Sequence, residues 1–361
     1  MRKSYIDNVR WITVVVVVFY HVIYMYATES VTTGLGRITQ LETQYYDILM
    51  YFVYPWIMTV LFLVAGMCSR YYLERHTDRE FLRSRTTRLL VPSTAGLFAF
   101  QFIQGYINVM LNDGLSNMPG VPVPVKAMII ILSGIGVLWF IQVLWVLSVL
   151  LILIRRVEKD RLWELGGHAG VPALILLAIP VWLMAQILNT PIIVVYRFGL
   201  YGAVFLIGYF VMSHDEVVER LKKSWVLFLA AALVLGIVFC GRYFGQNYAD
   251  APINRSPLFL CYSWSACMAM IGGMAKYGDF SNAFTRWMGK RSFGLYVFHY
   301  LGISAVALWI AKPGLLPAPA VYLISLIAGF AVSYVLNAVI SRLPFFRWAV
   351  LGIKGDKHVQ G

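Results

Sequence analysis

A succession of long apolar segments constrains this chain more than any other feature. Stretches of roughly 20 mostly apolar residues follow one another along its length, separated by Pro, Gly or clusters of charge. A helix of that length spans the hydrocarbon core of a bilayer. The pattern predicts an all-α polytopic membrane helix bundle of about ten transmembrane helices. The expected spans are 11–27, 46–68, 89–111, 129–154, 171–188, 196–212, 224–244, 257–275, 293–311 and 319–340.

The composition agrees with a membrane location. Apolar residues make up 60% of the 361 residues and charged residues 13%, whereas soluble domains average about 45–50% and about 25%. No long polar stretch separates two halves, so we expect residues 1–361 to form a single membrane domain. Gly134 and Gly136 interrupt the fourth span, and the sequence leaves the path of residues 112–137 open.

The basic residues indicate an orientation. With the N-terminus placed in the cytoplasm, 24 of the 30 Lys and Arg residues fall on the cytoplasmic side. The other six are Arg37, Lys126, Arg197, Arg242, Arg255 and Lys312. Cytoplasmic loops carry an excess of Lys and Arg, so both termini are predicted to be cytoplasmic. The net charge of +13 is thus explained by topology, and no nucleic-acid partner is expected.

The first span contains a single histidine, His21, eleven positions after Arg10. At about 100° per residue, the two side chains return to within roughly 20° of each other and lie about 16 Å apart along the axis. A cation at the cytoplasmic boundary and an imidazole deeper on the same face suit a long anionic ligand and proton transfer. We therefore assign both as candidate catalytic residues. The alternatives are a helix–helix hydrogen bond for His21 and interfacial anchoring for Arg10.

Two arginines precede the third span. Arg85 and Arg88 are three positions apart and are expected to share a helical face. Two guanidinium groups at the membrane edge can hold phosphate bidentately, which makes this pair a candidate substrate-binding site. The alternative explanation is that each arginine only sets the topology.

Two further polar faces are candidates for lining a site. One lies on the third span and the other on the ninth, where the spacings i, i+4 and i+7 place three side chains together. Either face could instead serve helix packing through hydrogen bonds. The residues are Gln101, Gln104 and Asn108 on the third span, and Ser292, Tyr296 and His299 on the ninth.

In combination, these motifs resemble the signature of acyltransferase family 3. The resemblance covers nearly the whole chain, in order, and its first motif is the most specific. One position in the last motif that is often Tyr is Phe293 here, and no role is placed on it. The residues that carry the resemblance are Asp7, Arg10 and His21; Arg85, Arg88, Leu89 and Pro92; and the segments 138–140, 205–209 and 292–299.

The resemblance implies a multi-pass protein of the cell membrane, above all the bacterial plasma membrane. It implies transfer of an acyl group, acetyl or succinyl, from cytoplasmic acyl-CoA to a hydroxyl of an envelope carbohydrate or similar acceptor. Arg85, Arg88 and Arg10 would then hold the phosphates of CoA, and His21 would act as general base or as a transient acyl carrier. Acyl-CoA is a co-substrate in this scheme, and no permanently bound cofactor or metal is expected.

Two other classes of protein fit parts of the sequence. A non-catalytic transporter or flippase for a polar envelope precursor would explain about ten helices and buried polar groups, but no clear inverted repeat is present. A scaffold subunit of an envelope assembly would tolerate changes at His21, Arg85 and Arg88. The sequence leaves open the acceptor, the choice of acyl group and the oligomeric state.

Overall fold

A computed structural model describes residues 3–28, 34–190 and 195–354 of the chain. Helices make up 77% of the structure, and the described residues form no strand. The all-α membrane fold expected from the sequence is therefore confirmed. Both chain ends lie outside the described residues, so their cytoplasmic location stays a prediction.

The helical segments of the described residues follow one another along the whole chain. Three π-helical turns, at Thr86–Leu90, Leu97–Gln101 and Ala307–Ala311, lie among them. The α-helices are α1 (Ser4–Met25), α2 (Ile48–Leu73), α3 (Asp78–Arg85), α4 (Val91–Ser93), α5 (Phe102–Leu111), α6 (Val123–Ser133), α7 (Trp139–Glu158), α8 (Arg161–Gly167), α9 (Val171–Leu176), α10 (Ala178–Met184), α11 (Phe198–Phe210), α12 (Asp215–Tyr243), α13 (Pro257–Tyr277), α14 (Ala283–Val306), α15 (Ala318–Ile340) and α16 (Pro344–Leu351).

Seven helical segments in the described part of the chain are long and apolar enough to cross a membrane. They match seven of the predicted spans. The predicted spans 171–188 and 196–212 correspond to shorter apolar helices, Val171–Met184 and Phe198–Phe210. The total of ten crossings stays a prediction. The seven segments are Ser4–Met25, Tyr45–Leu73, Gly136–Glu158, Asp215–Tyr243, Pro257–Tyr277, Ala283–Ala311 and Ala318–Ile340.

The predicted third span, 89–111, is not one continuous α-helix. Pro92 has no backbone N–H to donate and interrupts the regular helical hydrogen bonds, and Thr94 leaves the helical conformation at φ −121° and ψ −76°. Two hydroxyls donate to backbone carbonyls at this break, Ser93 Oγ to the Leu89 carbonyl and Thr94 Oγ1 to the Leu90 carbonyl. Such local repair is what allows a broken helix to remain in an apolar surrounding.

The predicted fourth span also divides, at the two glycines that the sequence singled out. Helix α6 ends at Ser133, Gly136 adopts a positive φ of 35°, and α7 begins at Trp139. Glycine takes this backbone conformation without steric cost. Residues 123–133 thus form a separate short helix that packs against α5.

The described chain divides into two compact units by its internal contacts, the first of which comprises residues up to 16, 48–82 and 146–290. Its helices pack as close pairs, α12 against α13 and α2 against α11. At the α2–α11 contact, a side chain added at Gly66 would overlap the Phe205 carbonyl, and one added at Gly208 would overlap the Leu63 carbonyl. Reciprocal glycines let the two backbones approach closely.

This packing predicts that replacing a glycine of the first unit lowers stability at a helix contact but not at an open position. Gly208→Ala should lower the stability by about 1–3 kcal/mol, because its Cβ would collide with backbone. Gly241→Ala in α12 is the matched control, since no described atom lies within 4 Å of a Cβ added there. Thermal unfolding of the protein in lipid nanodiscs measures both. Equal unfolding midpoints would contradict the α2–α11 contact.

The second unit comprises residues 17–47, 83–145 and those from 291 onward. In it the second half of α1, most of α14 and α15 pack together. The Tyr26 hydroxyl lies 2.7 Å from Ser325 Oγ, and Gly302 lies so close to the Ala328 carbonyl that no larger residue would fit. Both contacts run to α15, which thus packs against α14 and against the residue that follows α1.

Candidate functional site

His21 lies in α1 within the second unit and is partly buried. Its Nδ1 atom is 3.0 Å from the Val17 carbonyl, one turn earlier in the same helix, and 3.0 Å from Nε2 of His299 in α14. Its Nε2 atom makes no hydrogen bond to any residue of the described ranges. One ring nitrogen is therefore bonded to the protein, while the other has no such bond among the described residues.

His299 is fully buried, with 0% of its surface exposed. Its Nδ1 atom lies 3.0 Å from the Leu295 carbonyl and 2.9 Å from the Tyr296 carbonyl. The centres of the His21 and His299 rings are 5.0 Å apart. The structure thus brings together two residues that the sequence assigned to separate spans, 278 positions apart.

The surroundings of His21 are aromatic. The rings of Tyr20, Tyr24 and Tyr300 lie with their centroids 5.1, 5.8 and 5.2 Å from the imidazole centroid. Sequence reasoning did not assign these tyrosines to the site. A signal was present in the sequence, because Tyr20 and Tyr24 flank His21 at positions −1 and +3 and Tyr300 follows His299.

Arg10 lies on the same continuous helix as His21, in the part that belongs to the first unit. Its side chain is 52% exposed, and Nη1 lies 3.7 Å from Asp7 Oδ1. The ion pair that the i, i+3 spacing favours is thus present, although exposed pairs of this kind contribute little to stability. The catalytic assignment of Arg10 stays a prediction.

Arg85 and Arg88 lie on either side of a change in helix type. Helix α3 begins with a capping box, in which hydrogen bonds from the backbone and hydroxyl of Thr77 lower the pKa of the Glu80 carboxyl. Arg85 is the last residue of this helix, and Arg88 lies in the π turn Thr86–Leu90 that follows. Single π turns inside helices often occur at functional sites. That the two guanidinium groups share a face stays a prediction, because it was based on α-helical spacing.

The three amides of the predicted third span hydrogen-bond to neighbouring segments of the second unit. Gln101 Nε2 donates to the Val297 carbonyl at 3.4 Å, Gln104 Nε2 to Ser304 Oγ at 2.9 Å, and Asn108 Nδ2 to the Ser133 carbonyl at 2.9 Å. These contacts favour the alternative of helix packing over a role in lining a cavity. Two of them hold α14, and so contribute to placing His299.

The other two residues of the ninth-span motif also lie in buried positions of α14. The Tyr296 hydroxyl donates to the Val137 carbonyl, and its ring centroid lies 5.7 Å from that of Phe140. Ser292 is 7% exposed. Of this motif, His299 alone reaches His21 by a hydrogen bond, and Tyr296 contributes its carbonyl to the His299 ring. The described residues contain no group of three His, Cys, Asp or Glu side chains that could hold a metal ion.

Comparison with protein families gives one extended match. A family model described as an acyltransferase domain matches residues 3–338, nearly the whole chain. Searches of curated proteins and of solved structures returned no match. All the candidate residues assigned from the sequence lie inside the matched range.

Proposed function

Since the chain belongs to acyltransferase family 3, we propose that it is a membrane O-acyltransferase acting on an envelope carbohydrate. Family membership supports acyl transfer in general. The donor in our proposal is cytoplasmic acetyl- or succinyl-CoA, and the acceptor is a hydroxyl of an envelope carbohydrate or a similar molecule. The plasma membrane of a bacterium is the proposed location.

The observation that carries this proposal is the hydrogen bonding of the two ring nitrogens of His21. One nitrogen is bound to the protein, and Nε2 has no partner among the described residues. An ionisable side chain in a membrane span is by default a candidate for function. Imidazole is also the side chain best suited to proton transfer near neutral pH.

The chemistry follows from these positions. The acceptor oxygen attacks the thioester carbonyl carbon while His21 Nε2 takes its proton. The C–S bond then breaks, the leaving sulfur of CoA receives that proton, and an ester and free CoA result. In the second version, His21 Nε2 attacks the thioester carbonyl carbon and the C–S bond breaks, so that CoA leaves as the thiolate. The acceptor hydroxyl then attacks the acyl-imidazole, its proton passes to the thiolate, and free His21 is restored.

Arg85 and Arg88 supply the proposed recognition of the donor. Guanidinium groups bind phosphate through paired, charge-assisted hydrogen bonds. Their position before the broken third span suits a donor that arrives from the cytoplasm while its acyl group is presented deeper in the membrane. Because water attacks thioesters, exclusion of water around His21 by Tyr20, Tyr24 and Tyr300 would limit wasteful hydrolysis.

The test is direct transfer of a labelled acyl group. The full chain in lipid nanodiscs is incubated with radiolabelled acetyl-CoA or succinyl-CoA and an extract of envelope glycans. We expect release of CoA thiol and a mass increase of one acyl group on a glycan. A protein that binds glycan but releases no CoA from either donor would contradict the proposal and favour the transporter class.

A further inference from the structure

We propose that His299 is a positioning residue that holds His21 in the reactive tautomer and shares its proton during transfer. The inference rests on the proposed function, because it concerns the same imidazole. The hydrogen-bond pattern of the histidine pair carries it.

The tautomers follow from what each partner is able to do. Carbonyl oxygens only accept hydrogen bonds, so His299 Nδ1, which faces the carbonyls of Leu295 and Tyr296, carries a hydrogen. In a neutral ring the Nε2 atom of His299 then has a lone pair and accepts. The donor to it must be His21 Nδ1–H, which the Val17 carbonyl also accepts. This assigns the lone pair of His21 to Nε2, the nitrogen that acts on the substrate in the proposed function.

The same contact gives the proton a path. When His21 Nε2 takes a proton from the acceptor hydroxyl, the ring becomes an imidazolium and its Nδ1–H a stronger donor. Across the 3.0 Å contact, this hydrogen can move along the hydrogen bond toward His299 Nε2 while the two nitrogen atoms keep their positions. The positive charge is then spread over two rings, surrounded by the carbonyls of Val17, Leu295 and Tyr296. The shared hydrogen returns to His21 Nδ1 as the leaving sulfur removes the proton from His21 Nε2, and both rings are then neutral again.

The groups that contact the pair explain why the partner is a histidine. The titratable side chains against the two rings in the described residues are Tyr20, Tyr24, Tyr296 and Tyr300, without a carboxylate or a cation. The acid of a Ser-His-Asp triad orients its histidine and stabilises the imidazolium. A carboxylate within a membrane span would be costly. A second imidazole can orient His21 and stabilise its imidazolium, and it carries no charge before the reaction begins.

Two substitutions separate the proposed roles. His299→Phe fills the space but cannot accept a hydrogen bond, and we expect kcat for CoA release from acetyl-CoA to fall by about 10²-fold or more. The KM for acetyl-CoA should change less than about twofold, because His299 does not touch the donor. His299→Gln places an amide oxygen near the position of Nε2, which can accept but cannot share a proton. The kcat of His299→Gln should therefore be about tenfold higher than the kcat of His299→Phe.

The control is a second buried histidine. His214, in the first unit, is bonded through Nε2 to the Trp163 carbonyl at 2.8 Å and stacks on the Trp163 ring. His214→Phe makes the same chemical change without touching His21, and kcat per folded protein should stay within about threefold of wild type. Equal kcat values for the Phe and Gln variants of His299, or a loss confined to KM, would overturn the positioning role.

Nitrogen-15 NMR of histidine-labelled protein gives a readout that does not depend on activity. The wild type should show His21 with hydrogen on Nδ1 and none on Nε2, and His299→Phe should show partial transfer of that hydrogen to Nε2. A wild-type His21 protonated on Nε2 alone overturns the inference whatever the activity. The expected tautomers in a wild type that releases no CoA would support the pair and contradict the proposed function instead.

Discussion

Replacing His21 by alanine should lower acyl transfer from acetyl-CoA by about 10²–10⁴-fold, the usual contribution of a general acid–base group. If His21 also carries the acyl group, the loss should be complete, because the variant would lack the imidazole nitrogen that attacks the thioester. The variant should still insert and fold, since the His21 side chain is only partly buried and removing it leaves no unpaired cation. Release of CoA thiol, normalised to folded protein, measures the effect.

The matched control for that experiment is His168→Ala. His168 is an exposed histidine after α8 whose Nδ1 bonds only to the Glu164 carbonyl of its own helix. It should retain wild-type activity within about twofold. If His21→Ala transfers acyl groups as fast as this control, the imidazole has no chemical role and the acyltransferase mechanism proposed for it must be abandoned.

Removing both guanidinium groups at Arg85 and Arg88 should raise the KM for acetyl-CoA by about 10²–10⁴-fold. The reason is that a hydrogen bond to a charged group contributes about 1.5–3 kcal/mol. The kcat at saturating donor should change much less, because neither arginine is assigned to the reacting atoms. Steady-state kinetics with varied acetyl-CoA, at low and high salt, measures both parameters.

Two further variants separate phosphate binding from topology. Replacing Arg85 and Arg88 by lysine keeps the positive charge that sets orientation but removes the planar fork, so a raised KM should persist. Arg83→Ala, an exposed arginine of α3, should leave the KM unchanged. A normal KM in the double lysine variant, or an equal increase in Arg83→Ala, would show that these arginines act only as general positive charge.

The helices were predictable wherever one segment alone is long and apolar. Spans such as 257–275 and 319–340 were located from length and composition, and the structure has helices Pro257–Tyr277 and Ala318–Ile340 there. The third span was predicted as continuous because its apolar run passes through Pro92. The structure breaks at Thr94, where the hydroxyls of Ser93 and Thr94 bond to backbone carbonyls, and hydropathy does not measure such bonds.

The candidate site was predictable only within one helix. Periodicity alone suggested that Arg10 and His21 share a face of α1. The pairing of His21 with His299 depends on the register between α1 and α14, which involves tertiary contacts with α15, where Gly329 lies next to Val18 of α1 and Ile303 of α14. No periodicity encodes such a register. The same limit applies to Gln104, whose bond to Ser304 favours packing over lining.

The absence of a carboxylate from the described contacts of the histidine pair has a consequence for biosynthesis. A charged residue at the middle of a helix raises the apparent free energy of membrane insertion by about 2.5–3.5 kcal/mol. Two neutral imidazoles spare α1 and α14 this penalty while the nascent chain partitions into lipid. In the proposed mechanism the cation arises only after assembly, for the lifetime of one reaction intermediate. Insertion and catalysis therefore make no opposing demands on these two helices.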